Sequence, residues 1–508
     1  MENQNLFQVF REHFPSDPAL PFLETEEGIV YSYADMDCIT GRYANLLQNL
    51  QISLGDRVAV QVEKSPEALF LYLACLRAGV IFLPMNPAYR EAEVEYLLAD
   101  AQPSLVLASP MGEKLMAEIA QRRGIKNVLS LGQNGKGSFV ERAEGLSEDF
   151  DTVKLDAKND VAAILYTSGT TGRPKGAMLT HRNLATNAEV LHQIWQFNSD
   201  DVLLHALPIF HAHGLFVATN TQLMNGGSML YLNKFDTQKV IEFLPRATVF
   251  MGVPTFYTRL LATENFTRES CGNMRLFVSG SAPLLEETFE TFQHRTGFTV
   301  VERYGMTETV MNTSNPLGGE IAGSVGPALP GIEARVTNEK GDILKSDAIG
   351  VLEVRGPNVA KGYWRNEERT RSEFMKDGFF ITGDLARIDE NDYIWIVGRA
   401  KDLIISGGYN VYPKEVELLI DEFDGIRESA VIGLPHPDFG EAVTAVVTQT
   451  QGVTKVRESA IIAQVESQLA RFKVPKRVFF VEDLPRNSMG KVQKNILRET
   501  YAGTFQVN

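Results

Sequence analysis

The stretch TSGTTGRPKG at 167–176 crowds hydroxyls, glycines and two cations into one short segment. Glycines let a backbone approach an anion and turn its N–H groups onto it, while hydroxyls and an ammonium add donors. Thr167, Ser168, Gly169, Thr170, Thr171, Gly172 and Lys175 are therefore candidate phosphate ligands. The apolar run VAAILY at 161–166 reads as a buried strand that feeds this loop. A Walker A loop is excluded because it needs Gly-Lys-Ser/Thr, and here Pro174 precedes Lys175 and Gly176 follows it. Arg173 is open to two readings, a phosphate contact or a solvent-facing side chain.

Further polar clusters lie at LPIFHAHGL (207–215), SGSAPL (279–284), ERYGMTET (302–309), FFITGDLA (379–386), GRAKDLI (398–404) and PRNSMGKVQK (485–494). In this order, together with the loop, the series resembles the signature set of the adenylate-forming superfamily. That superfamily holds acyl-CoA synthetases, luciferases and the adenylation domains of peptide synthetases. HALPIFHAHGLFVATN, MGVPTFYTRL and RYGMTETVMNTSNP extend the likeness nearly end to end toward malonyl-CoA synthetases.

The resemblance implies two half-reactions. A carboxylate attacks the α-phosphorus of ATP to give an acyl-adenylate and pyrophosphate, and the thiol of CoA then displaces AMP. Both partners of the first step are anions, so cations and N–H donors must neutralise the developing charge. By this resemblance the loop holds the β- and γ-phosphates, and Glu308 binds Mg²⁺, a hard ion that takes oxygen ligands. Thr307 neighbours the phosphate, Tyr304 lies against adenine, and Asp384 accepts the ribose hydroxyls with Arg399 as its companion. Lys491 matches the catalytic lysine, Lys401 the hinge, and Gly407 and Gly408 a tight passage for pantetheine. The cluster Arg471, Lys473, Lys476, Arg477 is either a contact for CoA phosphates or a solvated face.

Malonate keeps a second charge after one carboxylate is activated, and burying that charge unpaired would cost several kcal/mol. A dicarboxylate enzyme therefore needs a cation in its acyl pocket. Arg259 in VPTFYTRL is the candidate, because a guanidinium grips a carboxylate through two parallel hydrogen bonds. The other placement open to Arg259 is a helix surface, paired with Glu264. Ser281 and His211 are the expected hydrogen-bonding partners of the acid. Methylmalonate is a further expected substrate, since one methyl changes discrimination by only about 1–3 kcal/mol. Another short or aromatic acid, or transfer to a carrier protein, are the alternative activities.

His205, His211 and His213 lack the accompanying carboxylate or cysteine pattern of a zinc site, and His213 alone reads as a packed core histidine. Cys38, Cys75 and Cys271 are scattered, which suits a reducing compartment. The formal charge of −15 argues against general binding to nucleic acid or acidic membranes. The N-terminal MENQNLFQVFREHF has no apolar run and is not a secretory signal, so a cytoplasmic location is expected. The partners expected are small molecules, and the sequence sets no oligomeric state.

The elements that position these residues follow from the apolar patterning. With 508 residues there is length for several domains. A βαβ rhythm predicts an α/β fold, a large N-terminal domain of helix-covered β-sheets. RVAVQV, SLVLAS, SMLYL, ATVFMG, RLFVS and TVVERY read as strands, and Glu91 to Asp100 and Met111 to Arg123 as helices. ALFLYLACLRAGVIFLP at 68–84 is broken by Arg77 and Gly79 and falls short of the roughly 20 apolar residues of a membrane span. It reads as a buried helix ending at Gly79, then a strand. Between Gly323 and Gly398, short alternating segments predict a small β-barrel or twisted antiparallel sheet. The change of texture puts a domain boundary near Arg399 to Asp402. The resemblance implies a large domain at 1–399, a hinge at 400–402, and a small α+β domain at 403–508 that rotates about it and carries Lys491.

Overall fold

The structure is a computed structural model describing residues 4–167, 174–406, 409–450, 456–487 and 490–505. The chain forms two compact units, Met1–Glu333 with Val354–Phe380, and Ala334–Glu353 with Ile381–Asn508. This division differs from a single boundary at 400–402: the strands on either side of Lys401 belong to the same unit.

The first unit is built on two sheets. One has eight strands, and its centre is a parallel run in which Ser228–Tyr231, Val202–His205, Val249–Gly252, Leu276–Ser279 and Val301–Tyr304 lie side by side. In register, Gly252 pairs with Ser279 and Ser279 with Glu302, so the carboxyl ends of these strands share one edge. Parallel strands are buried on both faces, which is why they read as near-continuous apolar runs. Phe250, Phe277, Tyr257 and Phe292 fill the core against this sheet.

The second sheet has six strands, and Val161–Thr167 and Lys175–Thr180 form its antiparallel edge, with Thr167 opposite Lys175. The helix Pro66–Ala78 packs beside it, capped by Ser65, whose Oγ accepts from the Ala68 N–H. It ends at Gly79 with φ +67°, a left-handed conformation that suits a residue without Cβ. Leu69, Phe70, Leu71, Leu73 and Leu76 are fully buried there, each stabilising the fold by about 1.5–3 kcal/mol. Arg77, which interrupts the run, is buried too; it donates to Asp37 Oδ1 at 3.1 Å, Thr40 Oγ1 at 2.8 Å and the Phe150 carbonyl at 2.8 Å. Among the described residues no helix is long and apolar enough to cross a membrane.

In the second unit, the alternating segments form a four-stranded sheet that ends with Phe380–Ile388 paired antiparallel to Ile394–Arg399. A five-stranded sheet follows, led by the long pair Ile426–His436 and Gly440–Gln449. The helices Pro413–Asp421 and Glu458–Gln468 pack on this sheet through Val416, Ile420, Ile461 and Val465.

Candidate active site

The carboxyl ends of the parallel strands carry the polar motifs. LPIFHAH follows His205, VPTFYTR follows Gly252, GSAPL follows Ser279, and GMTET follows Tyr304. Open α/β sheets collect ligands at this edge.

Ser281 takes φ +72°, rare for a residue with a side chain, and its Oγ lies 3.2 Å from Nδ1 of His213. His213 is buried at the start of a π-helix, His213–Thr219, and its Nε2 has no partner among the described residues. Burial first, then the charge of Arg303, keep the His213 imidazole well below its ordinary pKa and therefore neutral.

Arg303 itself is 5% exposed, and its Nε and Nη2 find no partner among the described residues. Burial brings its guanidinium down to about 9, with Tyr257 opposing the shift. A buried charge without a counter-ion is costly, roughly 3–5 kcal/mol in measured cases, so this cation is organised to receive an anion. Arg303, Ser281 and His213 thus make a neutral-plus-cationic corner. His211 is half-buried against the Phe210 ring, and burial lowers its imidazole to about 4.

Arg259 lies on the helix Pro254–Leu261, which follows the strand Val249–Gly252. That helix turns Tyr257 and Leu260 inward, and Tyr257 anchors it by donating to the Val278 carbonyl at 2.7 Å. Arg259 is exposed and makes no ion pair with Glu264 or another carboxylate among the described residues.

A second cluster surrounds Lys175. Its Nζ lies 2.9 Å from Oε2 of Glu373, donates to the Tyr363 hydroxyl at 3.0 Å, and sits 4.4 Å from the Tyr363 ring centroid. The Tyr363 hydroxyl lies 2.9 Å from Oε1 of Glu308 and also contacts Glu373, which Arg369 pairs as well. Glu308 is buried, and burial raises its carboxyl pKa while Lys175 pulls it back. Thr307 and Tyr304 are half-buried beside it in sequence, and the tight GMTE turn is possible because a β-carbon at Gly305 would collide with the Val310 carbonyl. Thr167 Oγ1 is buried with no partner among the described residues. Ser168, Gly169, Thr170, Thr171, Gly172, Arg173, Gly407 and Gly408 lie outside the described residues.

A carboxylate and a threonine hydroxyl are hard oxygen donors suited to a divalent cation, and a nearby lysine ammonium suits the phosphate that such a cation would also bind. No group of three or more His, Cys, Asp or Glu side chains is arranged for a metal among the described residues, and one carboxylate completed by phosphate and water needs none.

In the second unit, Asp384 is buried and pairs with Arg399, Nε to Oδ1 at 2.8 Å, across the antiparallel ladder. Lys491 keeps an exposed flank yet is crowded by surrounding atoms. That desolvation, with Arg399, lowers its ammonium to about 8, against the pull of Asp384 and Asp402. Lys401 lies in the turn Ala400–Asp402, whose Asp402 is held by Arg498 at 2.8 Å.

The sequence reading missed Arg303, Glu373 and Tyr363. The signal for Arg303 was a charged pair, Glu302 and Arg303, inside a strand that is otherwise apolar. Glu373 and Tyr363 carried none, because each acts through a fold contact nearly two hundred residues from Lys175 in sequence.

Two family models match the chain: AMP-binding enzyme over residues 7–364, and AMP-binding enzyme C-terminal domain over residues 415–491. A malonate–CoA ligase of Arabidopsis thaliana is 34% identical over 477 residues, 88% of this chain and 78% of that protein. A long-chain-fatty-acid–CoA ligase of Bacillus subtilis is 32% identical, with 98% and 94% covered. The crystal structure of ATP-bound MatB from Rhodopseudomonas palustris is 54% identical and superposes with a TM-score of 0.97, covering 99% of this chain and all of that one. The ordered motifs at the strand ends, the paired Asp384 and Arg399 and both family matches lead to one conclusion: the chain belongs to the AMP-binding enzyme family.

Proposed function

We propose that this protein is an AMP-forming malonate–CoA ligase, converting ATP, malonate and CoA to malonyl-CoA, AMP and pyrophosphate through a malonyl-adenylate. The observation that carries the reading is Arg303, a buried cation beside Ser281 and His213 whose Nε and Nη2 meet no partner among the described residues. The likeness to a malonate–CoA ligase supports the same acid.

One malonate carboxylate oxygen attacks the α-phosphorus, and the bond from that phosphorus to the bridging oxygen breaks as pyrophosphate leaves. Lys175 and the loop from Thr167 to Gly172 hold the leaving phosphates. Glu308, with Thr307 beside it, would hold Mg²⁺, and the ion would supply Lewis-acid charge withdrawal at the phosphate oxygens. Lys491 neutralises the carboxylate and α-phosphate, Tyr304 lies along adenine, and Asp384 with Arg399 orients the ribose. The thiolate sulfur of CoA then attacks the acyl carbon, and the bond to the adenylate oxygen breaks; Gly408 and its neighbour Gly407 line the approach. The second malonate carboxylate meets Arg303, with Ser281, His213 and His211 around it and Arg259 at the open side. A neutral His213 accepts or donates there without repelling the guanidinium.

The segment after Lys401 turns about that residue between the two half-reactions. Methylmalonate is also accepted, one methyl being worth only about 1–3 kcal/mol of discrimination. The cytoplasm is the proposed location, supported by three cysteines that are all free thiols.

The test is AMP and thioester formation across malonate, methylmalonate, acetate, succinate and benzoate. Malonate is expected to exceed acetate in kcat/KM by at least about tenfold; equal use of the two sinks the dicarboxylate reading.

A further inference from the structure

Lys64 is a lysine with almost no access to water, 7% exposed, lying just before the Ser65 cap of the helix Pro66–Ala78. A lysine is rarely buried unless its head group is used. Here Nζ lies 2.9 Å from Nδ1 of His205 and 2.7 Å from the His205 carbonyl oxygen, and 4.0 Å from the centroid of the Tyr231 ring. Two donors are spent on one histidine and the remaining face on an aromatic ring.

The far side of His205 settles the direction of these bonds. Nε2 lies 3.0 Å from the Gly214 carbonyl oxygen and 3.1 Å from Oγ1 of Thr219. A carbonyl only accepts, so Nε2 carries the proton, Nδ1 is bare, and Lys64 donates to it. This assignment holds for either charge state of the lysine, since both forms have N–H bonds to give. Thr219 Oγ1 also donates to the same carbonyl, at 2.9 Å. Two side-chain donors therefore grip the Gly214 oxygen. Gly214 has no space for a β-carbon, which would collide with the Pro208 carbonyl.

Gly214 follows His213 in the π-helix His213–Thr219. Such helices are rare and need local support, and they gather at functional sites. His213 is the imidazole whose Nδ1 meets Ser281 Oγ.

We propose that Lys64 is a positioning residue for recognition of the distal carboxylate: through His205 and the Gly214 carbonyl it fixes the start of the π-helix and so aims His213 at Ser281. The inference rests on the malonate reading above. Lys64 touches no substrate in this role. Its effect is confined to the corner formed by His213, Ser281 and Arg303, and it leaves the nucleotide contacts alone.

The experiment compares kcat/KM for malonate and acetate in wild type, Lys64→Met and Lys64→Gln, with KM for ATP measured alongside. Lys64→Met is expected to lower the malonate-to-acetate ratio about tenfold while KM for ATP stays within about twofold. Lys64→Gln retains an N–H donor and is expected to recover part of the ratio. A lysine that merely packs would lower both acids equally and leave the ratio unchanged, which overturns the proposal. If Lys64→Met does not fold, Lys64→Gln and Thr219→Val carry the comparison, each lowering the ratio about threefold; an unchanged ratio in both overturns it. A wild-type enzyme with no malonate preference would instead refute the malonate reading, whereas preference retained in folded variants refutes only the role of Lys64.

Discussion

A β-carbon at position 280 would stand 2.5 Å from Nε of Arg303, so Gly280 and this guanidinium share a space that admits no side chain between them. Real Cβ atoms do not approach that closely, and Arg303 is too buried to swing away freely. Gly280→Ala is therefore expected to displace the guanidinium and reduce kcat/KM for malonate by at least about tenfold, with KM for ATP within about twofold. Unchanged malonate kinetics would show that the guanidinium has no part in binding the acid.

Arg303→Met and Arg259→Ala separate the buried cation from the exposed one. Arg303→Met should cost about a hundredfold in kcat/KM for malonate and much less for acetate, since it removes a desolvated charge pair. Arg259→Ala is expected to cost about tenfold, because solvent screens its contribution. Steady-state kinetics with both acids checks the order, and a larger loss at Arg259 would reverse it.

In the proposed mechanism Lys175 exchanges Glu373 for phosphate when ATP binds, because one ammonium cannot serve both at full strength. Glu373→Gln removes the competing charge and is expected to lower KM for ATP about two- to fivefold. A raised KM would mean that Glu373 aims the lysine instead of competing for it. Lys175→Ala, measured beside it, should raise KM for ATP.

With an ammonium lowered to about 8, Lys491 is charged below that pH and neutral above it. The role proposed for Lys491 uses that charge when carboxylate meets phosphate, so adenylation is expected to hold steady below pH 8 and fall above it. Pyrophosphate release against pH checks the limb. Lys491→Ala should abolish adenylation while conversion of supplied malonyl-adenylate by CoA continues; loss of both half-reactions would contradict the assignment.

Stability should fall on mild acidification through the buried histidines. Burial lowers His181 to about 3 and His211 to about 4, from an unfolded value of 6.5. A histidine lowered in the fold binds fewer protons there than when unfolded, so its contribution is present above pH 6.5 and is lost as pH falls below it. His181 Nδ1 accepts the Leu6 N–H at 3.1 Å, a bond that the protonated ring cannot accept. Urea midpoints between pH 8 and 4 are expected to drop below 6.5, with a shallower slope in His181→Gln.

Much of the fold was legible in the chain because it depends on local pattern. The run 68–84 became the helix Pro66–Ala78, a turn at Gly79 and the strand Ile81–Pro84. RLFVS and TVVERY became the neighbouring strands Leu276–Ser279 and Val301–Tyr304. For Arg259 the chain left two placements open, pocket or helix surface, because helical spacing alone does not say which way a side chain faces; Tyr257 and Leu260 take the buried side of its helix. Arg303 went unnoticed because its meaning depends on Gly280, Ser281 and His213, which reach it from other strand ends.

The order of motifs and the periodicity of the apolar runs therefore determined the α/β architecture, the family and the chemistry of the bond that breaks. Those properties reside in short segments, whose backbone conformation and turn residues are set by near neighbours. Only the tertiary structure decided which cation is buried, that Glu373 holds Lys175, and that Lys64 reaches His205. These are relations between side chains brought together across the fold, where removal from water turns an ordinary charge into one that needs a partner.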